Sequence, residues 1–402
     1  MKTFDVIVAG AGPAGATAAK TLGEAGASVL LIDKSAFPRD KPCGGGISAR
    51  ALQRFGYLRS ALDRIPTSWV SKVHFESPAG FVVDYCSPDP LYLMIRRCEF
   101  DNLLYSLARP HVETATGLVR KVAVHRDHVA VTMETCEYQA RMIIGCDGAN
   151  SVVARASGLR TGNVQSDYAI DMMEETPQQE LSTAEPDRMY IYYRIRSHYG
   201  YGYVFPKTSH LNVGVGFKLD YYLANLRGEH YAHHQSFVED LKSKQVLAGE
   251  SNRANFRAFP LPISGPLART YADRVLLAGD AGGFVNALTA EGIYYAMVSG
   301  ELAARAAIQG RLSDYERAWK QEIGDELAHS VRFQKLLLAD PGRIDRIVRA
   351  ASRHAALAEI LAHFATGAIT HAQFQRSMIR RALPIYMREK ARRLFPLRLF
   401  HG

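Results

Sequence analysis

The chain has 402 residues, of which 47% are hydrophobic and 22% charged, and its formal net charge is +9. This composition is that of a globular protein of two or three structural units, and it excludes disordered, collagen-like and disulfide-stapled chains. The charge is uneven: residues 331–402 carry 14 Lys and Arg against 4 Asp and Glu, whereas residues 1–330 are nearly balanced. Because a nucleic-acid enzyme would carry a basic cleft across its body, we expect no nucleic-acid partner.

The first elements have the order of a Rossmann unit. Residues 4–9 predict a buried parallel strand, residues 10–15 read GAGPAG before a helix to about residue 25, and residues 28–32 predict a second strand that ends at Asp33. Each position then has a role in holding a dinucleotide, since glycines allow a tight turn and close approach, the helix N-terminus binds phosphate and the acid accepts from ribose. We therefore predict nucleotide contacts at Gly10, Gly12, Ala14, Gly15 and Asp33.

Two later segments point to the kind of dinucleotide. Residues 141–148, RMIIGCDG, and residues 274–280, RVLLAGD, each predict a strand that ends in an acid. In this order the three segments resemble the flavoprotein hydroxylase superfamily, which implies FAD, with Asp280 beside its ribityl and phosphate region. Since no second G-x-G-x-x-G appears, we expect the electron donor, NAD(P)H or a small electron carrier, to bind transiently.

Four further segments resemble one branch of these flavoproteins, the geranylgeranyl reductase family, which reduces isolated double bonds of prenyl chains. They are PRDKPCGGGIS at 38–48, RCEFD at 97–101, YGYVFP at 201–206 and GDAGGFVNALTAEGIYYAMVSG at 279–300. The resemblance spans residues 4 to about 305. It implies further FAD contacts at Cys43, Gly44, Gly46, Arg97, Val119, Gly292 and Ile293.

The same resemblance implies catalytic roles for Cys43, Tyr201 and Tyr203. Alternation along a strand places Tyr201, Tyr203 and Phe205 on one face, a pattern that alone is typical of core but in the family lies against the prenyl chain. Cys43 would guide substrate, donate a proton or only fill space. The chain departs from the family at Tyr203, where Trp is usual, and at Ala287 and Ala290, where Pro and Gly are usual.

The predicted fold class is α/β, with a Rossmann-like FAD-binding domain, an antiparallel-sheet substrate domain and a helical C-terminal region. We predict the FAD domain from 1–62, 97–160 and 271–308, the substrate domain from 63–96 and 161–265, and the helical region from 309–402. The HYAHH segment at 230–234 predicts a surface histidine patch, and no metal site is expected.

The basic tail leaves two interpretations open. Apolar positions at Met387, Ala391, Leu394 and Phe395, interleaved with basic residues between Pro384 and Pro396, are typical of an interfacial helix but also of a helix packed on the body. A prenyl-lipid substrate favours the membrane. Free cysteines and the lack of a long apolar run then predict a cytoplasmic protein at the inner face of a membrane.

The predicted activity is reduction of prenyl C=C bonds on a lipid, quinone or related substrate. One alternative is a flavin-dependent monooxygenase or halogenase on the same scaffold. A second alternative is a flavin-bearing protein that binds its ligand without turnover. Fold analogy supports the flavin more firmly than the substrate.

Overall fold

Two large sheets and a C-terminal set of helices organise the chain in the computed structural model. It describes residues 2–162, 164–195, 198–226, 230–340 and 342–394, and for 382, 383 and 385–394 it describes the backbone alone. The fold class predicted from the sequence is confirmed, whereas the exact domain boundaries stay a prediction.

Within these residues, the strands in chain order are β1 (Thr3–Ala9), β2 (Val29–Asp33), β3 (Gly46–Ser48), β4 (Ser68–Val70), β5 (Lys72–Glu76), β6 (Val82–Cys86), β7 (Tyr92–Met94), β8 (Glu113–Thr116), β9 (Lys121–Val124), β10 (Val129–Thr132), β11 (Glu137–Gly145), β12 (Tyr168–Pro177), β13 (Leu181–Thr183), β14 (Arg188–Tyr192), β15 (Tyr201–Pro206), β16 (His210–Lys218), β17 (Leu247–Gly249), β18 (Phe256–Pro262), β19 (Tyr271–Ala272) and β20 (Val275–Leu277). The helices are α1 (Pro13–Glu24), α2 (Ala49–Arg54), α3 (Leu58–Leu62), α4 (Arg97–Ala108), α5 (Val152–Ala156), α6 (Leu219–Asn225), α7 (His230–Ser243), α8 (Ile293–Ile308), α9 (Asp314–Trp319), α10 (Asp325–Ala339), α11 (Gly342–Arg353), α12 (Ala355–Ala365) and α13 (His371–Leu394).

The first large sheet has eight strands, with the path β19-β20-β11-β1-β2-β8 and with β10 and β9 added on β11. Its centre is parallel, and β1, β2, β11 and β20 are almost wholly buried where they pair, as apolar strands covered on both faces should be. The carboxyl ends of β1, β2 and β20 therefore meet at one edge. That edge is where ligands bind in open parallel sheets.

Helices α1 and α8 lie against each other on this sheet at unusually short range. A Cβ on Gly300 would lie 2.2 Å from the carbonyl oxygen of Ala14, and one on Gly279 would lie 3.0 Å from the Cβ of Ala14. Glycine is required at 300, because any side chain there would push the two helices apart, and it is favoured at 279 by a left-handed φ of +59°. The contact sets the N-terminal end of α1 beside the turn that follows β20.

The second large sheet has seven strands in the order β18-β12-β16-β15-β14-β5-β6. It is antiparallel except for the parallel pair of β14 with β5. Its outer face is buried under α6 and α7, where His234 is fully buried and its Nε2 lies 3.1 Å from the carbonyl oxygen of Val213. The predicted surface histidine patch is therefore wrong at His234, because the helix turns that side chain into the core.

The inner face of this sheet packs against the C-terminal helices. Ile191, Tyr203 and Phe205 share one buried cluster with Val348 of α11 and Leu361 of α12. The C-terminal region is thus mostly helical, as predicted, and it forms the cover of the sheet rather than a separate appendage.

Helix α13 begins at His371 and continues through Pro384 to Leu394. The predicted start at Pro384 is wrong: the helix begins a full three turns earlier and contains the proline, although an interior proline removes one backbone donor and crowds the carbonyl four residues before it. Phe374 at the start of α13 is buried against the body. The side chains of Met387, Ala391 and Leu394, and all of Phe395 and Pro396, lie outside the described residues. Within the part of the chain that is described, no helix is both long and apolar enough to cross a membrane.

Candidate active site

The turn between β1 and α1 has the geometry of a phosphate cradle. Gly10 adopts a left-handed φ of +96°, and a Cβ on it would lie 2.3 Å from the carbonyl oxygen of Cys146. A Cβ on Gly15 would lie 1.7 Å from the carbonyl oxygen of Gly10. Helix α1 begins after Gly12 without a side-chain cap, so its first N–H groups can bind an anion.

The carboxylate of Asp33 closes one side of this cradle. It accepts hydrogen bonds from the N–H of Ala11 at 2.8 Å and of Ser35 at 3.0 Å, and Asp33 is only 9% exposed. The backbone oxygen of Asp33 accepts from Gly117, which draws the next segment alongside, and Val119 two residues later is buried under the sheet. Asp33 and the segment before Val119 therefore lie together at the carboxyl edge of β2.

Two arginines face the same turn. The position that a Cβ on Gly12 would take is 3.6 Å from Arg39 and 4.0 Å from Arg97. The carboxylate of Asp101 accepts two hydrogen bonds of 2.7 Å from Arg97 and one of 3.0 Å from Arg39. Burial opposes the charge of Arg97, but Asp101 outweighs it and raises the pKa of Arg97 above its ordinary value. Arg39 was missed from the sequence, although it lies inside the segment at 38–48.

Asp280 lies in the turn that directly follows β20. Its carboxylate is 3.4 Å from the Nζ of Lys41, and its Oδ1 lies 3.8 Å from where a Cβ on Gly292 would be. Helix α8 begins at Ile293 with Gly292 as its N-cap and no capping side chain. Asp280, Gly292 and Ile293 are therefore brought together at a second helix N-terminus.

The three glycines after Cys43 are explained by protein contacts. A Cβ on Gly44 would lie 2.8 Å from the ring of Phe205, one on Gly45 would lie 2.1 Å from the carbonyl oxygen of Ile95, and one on Gly46 would lie 1.9 Å from the ring of Tyr92. The Sγ of Cys43 accepts from the N–H of Gly45 at 3.4 Å. The loop is thus pressed against the inner face of the seven-stranded sheet.

Tyr201, Tyr203 and Phe205 form a continuous aromatic row along β15. Their ring centroids are 5.7 and 4.7 Å apart in succession, and Phe205 reaches the Cys43–Gly45 loop. Burial raises the pKa of Tyr201 and of Tyr203 above the ordinary range, so both hydroxyls stay protonated. The row leads from the loop toward the C-terminal helices.

At the far end of the row lies an apolar pocket of about 600 Å³, including its open mouth. Its walls come from the sheet, from the loop before α8 and from four C-terminal helices. They comprise Ile191, Tyr193, Tyr201, Leu288, Thr289, Phe333, Leu337, Ile344, Ile347, Val348, Leu361, Phe364, Ala365 and Phe374. Of these, the sequence analysis named Tyr201 alone, because the helical residues carry no motif.

We call the turn 10–15 with Asp33, Arg39, Arg97 and Asp280 the flavin cradle. It fits FAD, because the uncapped N-terminus of α1 and two arginines lie together where a pyrophosphate would bind, while Asp33 and Asp280 suit ribose and ribityl hydroxyls. Cys43 adjoins this cradle, because its side chain interacts with that of Arg97, and the glycine loop that follows leads from it to the aromatic row. Asp147, the third strand-end acid, instead accepts from the N–H groups of Val152 and Val153 and so fixes the start of α5.

Comparison with known proteins agrees with this geometry. A family model described as an FAD binding domain matches residues 3–301. The chain is therefore an FAD-binding flavoprotein. Within that class it belongs to the geranylgeranyl reductase family, since a digeranylgeranylglycerophospholipid reductase of Methanothermobacter thermautotrophicus is 30% identical over 83% of this chain and 88% of its own.

A second curated relative and two solved structures also match the chain. A menaquinone reductase of Mycobacterium tuberculosis is 31% identical over 84% of each chain. A solved geranylgeranyl bacteriochlorophyll reductase-like protein from Thermoplasma acidophilum superposes with a TM-score of 0.79 at 21% identity, covering 94% of this chain and 99% of its own. A flavin-dependent brominase superposes with a TM-score of 0.65 at 18% identity, covering 96% of this chain and 100% of its own. At these identities the two structures show a shared fold.

Proposed function

We propose that this protein is an FAD-dependent reductase that saturates C=C bonds of a prenyl chain. The observation that carries the proposal is the apolar pocket, which continues the aromatic row away from the Cys43–Gly45 loop and is walled almost wholly by aliphatic and aromatic side chains. A prenyl chain is apolar along its whole length, so such walls would stabilise it by burial. The names of the relatives, a prenyl lipid reductase and a menaquinone reductase, support the same class.

The reaction needs a hydride and a proton. When bound and reduced, FAD supplies the hydride to one alkene carbon, which is chemistry that side chains cannot perform. The chain's own residues orient the alkene, exclude water and deliver the proton to the other carbon. In this proposal Tyr201 and Tyr203 contact the prenyl chain, and Cys43 contacts it at the glycine loop.

The deciding experiment is anaerobic. The purified holoenzyme is reduced with dithionite and mixed with geranylgeraniol, and flavin reoxidation and product mass are followed. We expect substrate-dependent reoxidation with a gain of two hydrogens in the product. Reoxidation that requires oxygen would support the monooxygenase or halogenase alternative, and its absence in every condition would support binding without turnover.

We also propose that NAD(P)H reduces the flavin from a polar cleft next to the glycine loop. The cleft is lined by Lys41, Arg96, His210 and Arg257 together with Asp40 and Glu175, and cations of this kind suit a dinucleotide phosphate. Arg96 is paired with Glu175 at 2.7 Å, whereas Arg257 donates to backbone carbonyls and has no carboxylate partner among those contacts.

Arg257→Gln should slow reduction of the flavin by NADPH but not by dithionite. Arg253→Gln, outside the cleft, is the control, and equal slowing by both variants would contradict the proposal.

Peripheral membrane contact through the basic C-terminal helix is the last part of the proposal. It is supported by the excess of basic residues after 331 and by Ile379 of α13, which is 66% exposed. Truncation after Ala382 should reduce binding to vesicles that contain anionic lipid and leave FAD content unchanged. Undiminished vesicle binding by the truncated protein would show that the tail is not the anchor.

A further inference from the structure

Tyr203 has a partner that neither the motifs nor the family pattern indicates. Its hydroxyl donates to the carboxylate of Asp171, at 3.1 Å from Oδ2 and 3.4 Å from Oδ1. Asp171 lies on β12, two strands away from β15, and at this position the chain has Tyr where the family has Trp. An indole in that place would offer no hydroxyl to the carboxylate.

Two glycines of β16 make this contact possible. Gly214 and Gly216 lie between the two strands, and a Cβ on Gly214 would lie 2.3 Å from the hydroxyl oxygen of Tyr203. A Cβ on Gly216 would lie 4.0 Å from Oδ1 of Asp171. The phenol therefore crosses the sheet in a groove that any larger residue at 214 would fill. This contact explains why the sequence at 214–216 is G-V-G although these residues form no nucleotide-binding motif.

The surroundings of Asp171 favour its neutral form. Burial raises the pKa of Asp171 to about 7, and the hydrogen bond from Tyr203 and a backbone N–H only partly oppose this. Tyr201 and Tyr203 face it from β15, the two glycines face it from β16, and Phe259 lies opposite it on β18. Among the described residues no charged side chain contributes to the shift. The surroundings of Asp171 therefore shift its pKa from the usual acidic range toward neutral pH.

One edge of the Tyr203 ring lies beside the glycine loop, which the proposed function places next to the reacting alkene. Its Cε2 would lie 3.7 Å from a Cβ on Gly44, and the ring lies next to Phe205 at the glycine loop. A protonated Asp171 would reverse the hydrogen bond and donate to the phenol oxygen. The phenol proton would then be free to leave toward the aromatic row.

We propose that Asp171 and Tyr203 form a proton relay that supplies the second hydrogen of alkene reduction. Tyr203 O–H breaks as the C–H bond forms on the carbon that does not receive the hydride, and Asp171 passes its carboxyl proton to the phenol oxygen. Asp171 then regains a proton from solvent, so protons and charge balance over one turnover. Tyr203 is the catalytic residue and Asp171 acts through it as a positioning and proton-storing residue. This inference rests on the proposed function and deepens it.

The test compares Asp171→Asn and Tyr203→Phe with wild type and with Tyr192→Phe, which removes a buried hydroxyl on the opposite face of the same sheet. Reoxidation of the dithionite-reduced holoenzyme by geranylgeraniol is measured from pH 5 to 9. We expect the wild-type rate to fall above about pH 7, Asp171→Asn to be at least tenfold slower and to lose that transition, and Tyr203→Phe to be slower still. A wild-type pH profile in Asp171→Asn would overturn the relay.

A second readout does not depend on turnover. Infrared difference spectra of the oxidised holoenzyme, without substrate, should show a protonated carboxyl band that titrates near pH 7 and is absent from Asp171→Asn. If the wild type never reduces the prenyl probe, the proposed function fails while this band still reports on Asp171. A band that is absent from the wild type above pH 5 would overturn the relay on its own.

Discussion

The turn of the flavin cradle is built from backbone, whereas the apolar pocket is built from side chains that come from the sheet, from the loop before α8 and from four C-terminal helices. In the cradle, Gly10 and Gly15 act by having no side chain, because a Cβ on either would lie within 2.3 Å of a carbonyl oxygen. In the pocket, Leu288, Phe333 and their neighbours share only apolar character and size. Few substitutions are therefore tolerated at the glycines of the cradle. In the pocket, one apolar residue can replace another, and such a replacement would alter which substrate fits.

The largest expected effect is at Gly15. A Cβ there would lie 1.7 Å from the carbonyl oxygen of Gly10, so Gly15→Ala must displace either the turn or helix α1. We expect loss of bound FAD and a fall of more than about 3 kcal/mol in the free energy of unfolding. Flavin absorbance per protein and denaturant unfolding measure these changes. Gly26→Ala is the matched control, because Gly26 has φ +82° but no atom within 4 Å of its Cβ position, and it should cost only about 1 kcal/mol.

The second largest effect is expected from replacing Arg50, whose ion pairs link the start of α8 to helix α10. Its guanidinium lies 3.5 Å from Glu291 at the start of α8 and 3.5 Å from Glu326 on α10, and Glu326 also pairs with His371 at 3.0 Å. Arg50→Met would leave the buried carboxylate of Glu291 without its cation and Glu326 with His371 as its remaining partner, so we expect a loss of about 3 kcal/mol in the free energy of unfolding. Chemical denaturation measures it, and Arg59→Met at an exposed position of α3 should have little effect.

The same cluster predicts a pH dependence of stability. Burial opposes the charge of Glu326, but His371 and Arg50 outweigh it and hold the pKa of Glu326 below its ordinary value. A carboxylate with a depressed folded pKa stabilises the fold above the ordinary glutamate pKa of about 4.3, and this contribution is lost as the pH falls below it. Glu326→Gln should therefore show a weaker loss of stability than wild type between about pH 5 and 3. Parallel curves would contradict this.

A smaller effect is expected inside the pocket. Ile344 of α11 is partly exposed and lines the cavity, so Ile344→Trp adds bulk where the prenyl chain would lie. We expect kcat/KM for geranylgeraniol to fall about tenfold, or about 1.4 kcal/mol, with unchanged FAD content. Arg353→Trp, exposed at the end of the same helix, is the control. A loss of FAD in Ile344→Trp would show that the two regions are less separate than described.

The smallest effect is at Ala290, in the loop between them. Its φ is +58°, a conformation that favours glycine, and the family has glycine at this position. Ala290→Gly should therefore remove backbone strain and raise stability by up to about 1 kcal/mol. Differential scanning calorimetry of the two holoenzymes would measure the change, and a lower melting temperature would contradict it.

The comparison also explains what the sequence could predict. The Rossmann order, the FAD requirement and the family were all predicted correctly, because each rests on a short motif such as GAGPAG or on acids at strand ends. The walls of the pocket could not be predicted, since Phe333, Ile344 and Leu361 meet only through tertiary packing and look like any apolar helix positions. Asp171 was missed for the same reason: its partner Tyr203 lies 32 residues away and two strands across the sheet.

The packing of the C-terminal helices over the inner face of the seven-stranded sheet has a consequence for biosynthesis. Ribosomes make the chain from its N-terminus, so every strand of that sheet is complete before α11, α12 and α13 exist. Until residues 342–394 emerge, the part of the inner face around Ile191 and Tyr203 lacks the helices that cover it in the folded protein. A chain that ends at a premature stop before residue 342 would therefore contain a nearly complete cofactor-binding region and a second sheet whose apolar inner face is exposed. Such a product would be a client of chaperones and proteases rather than a weakened enzyme.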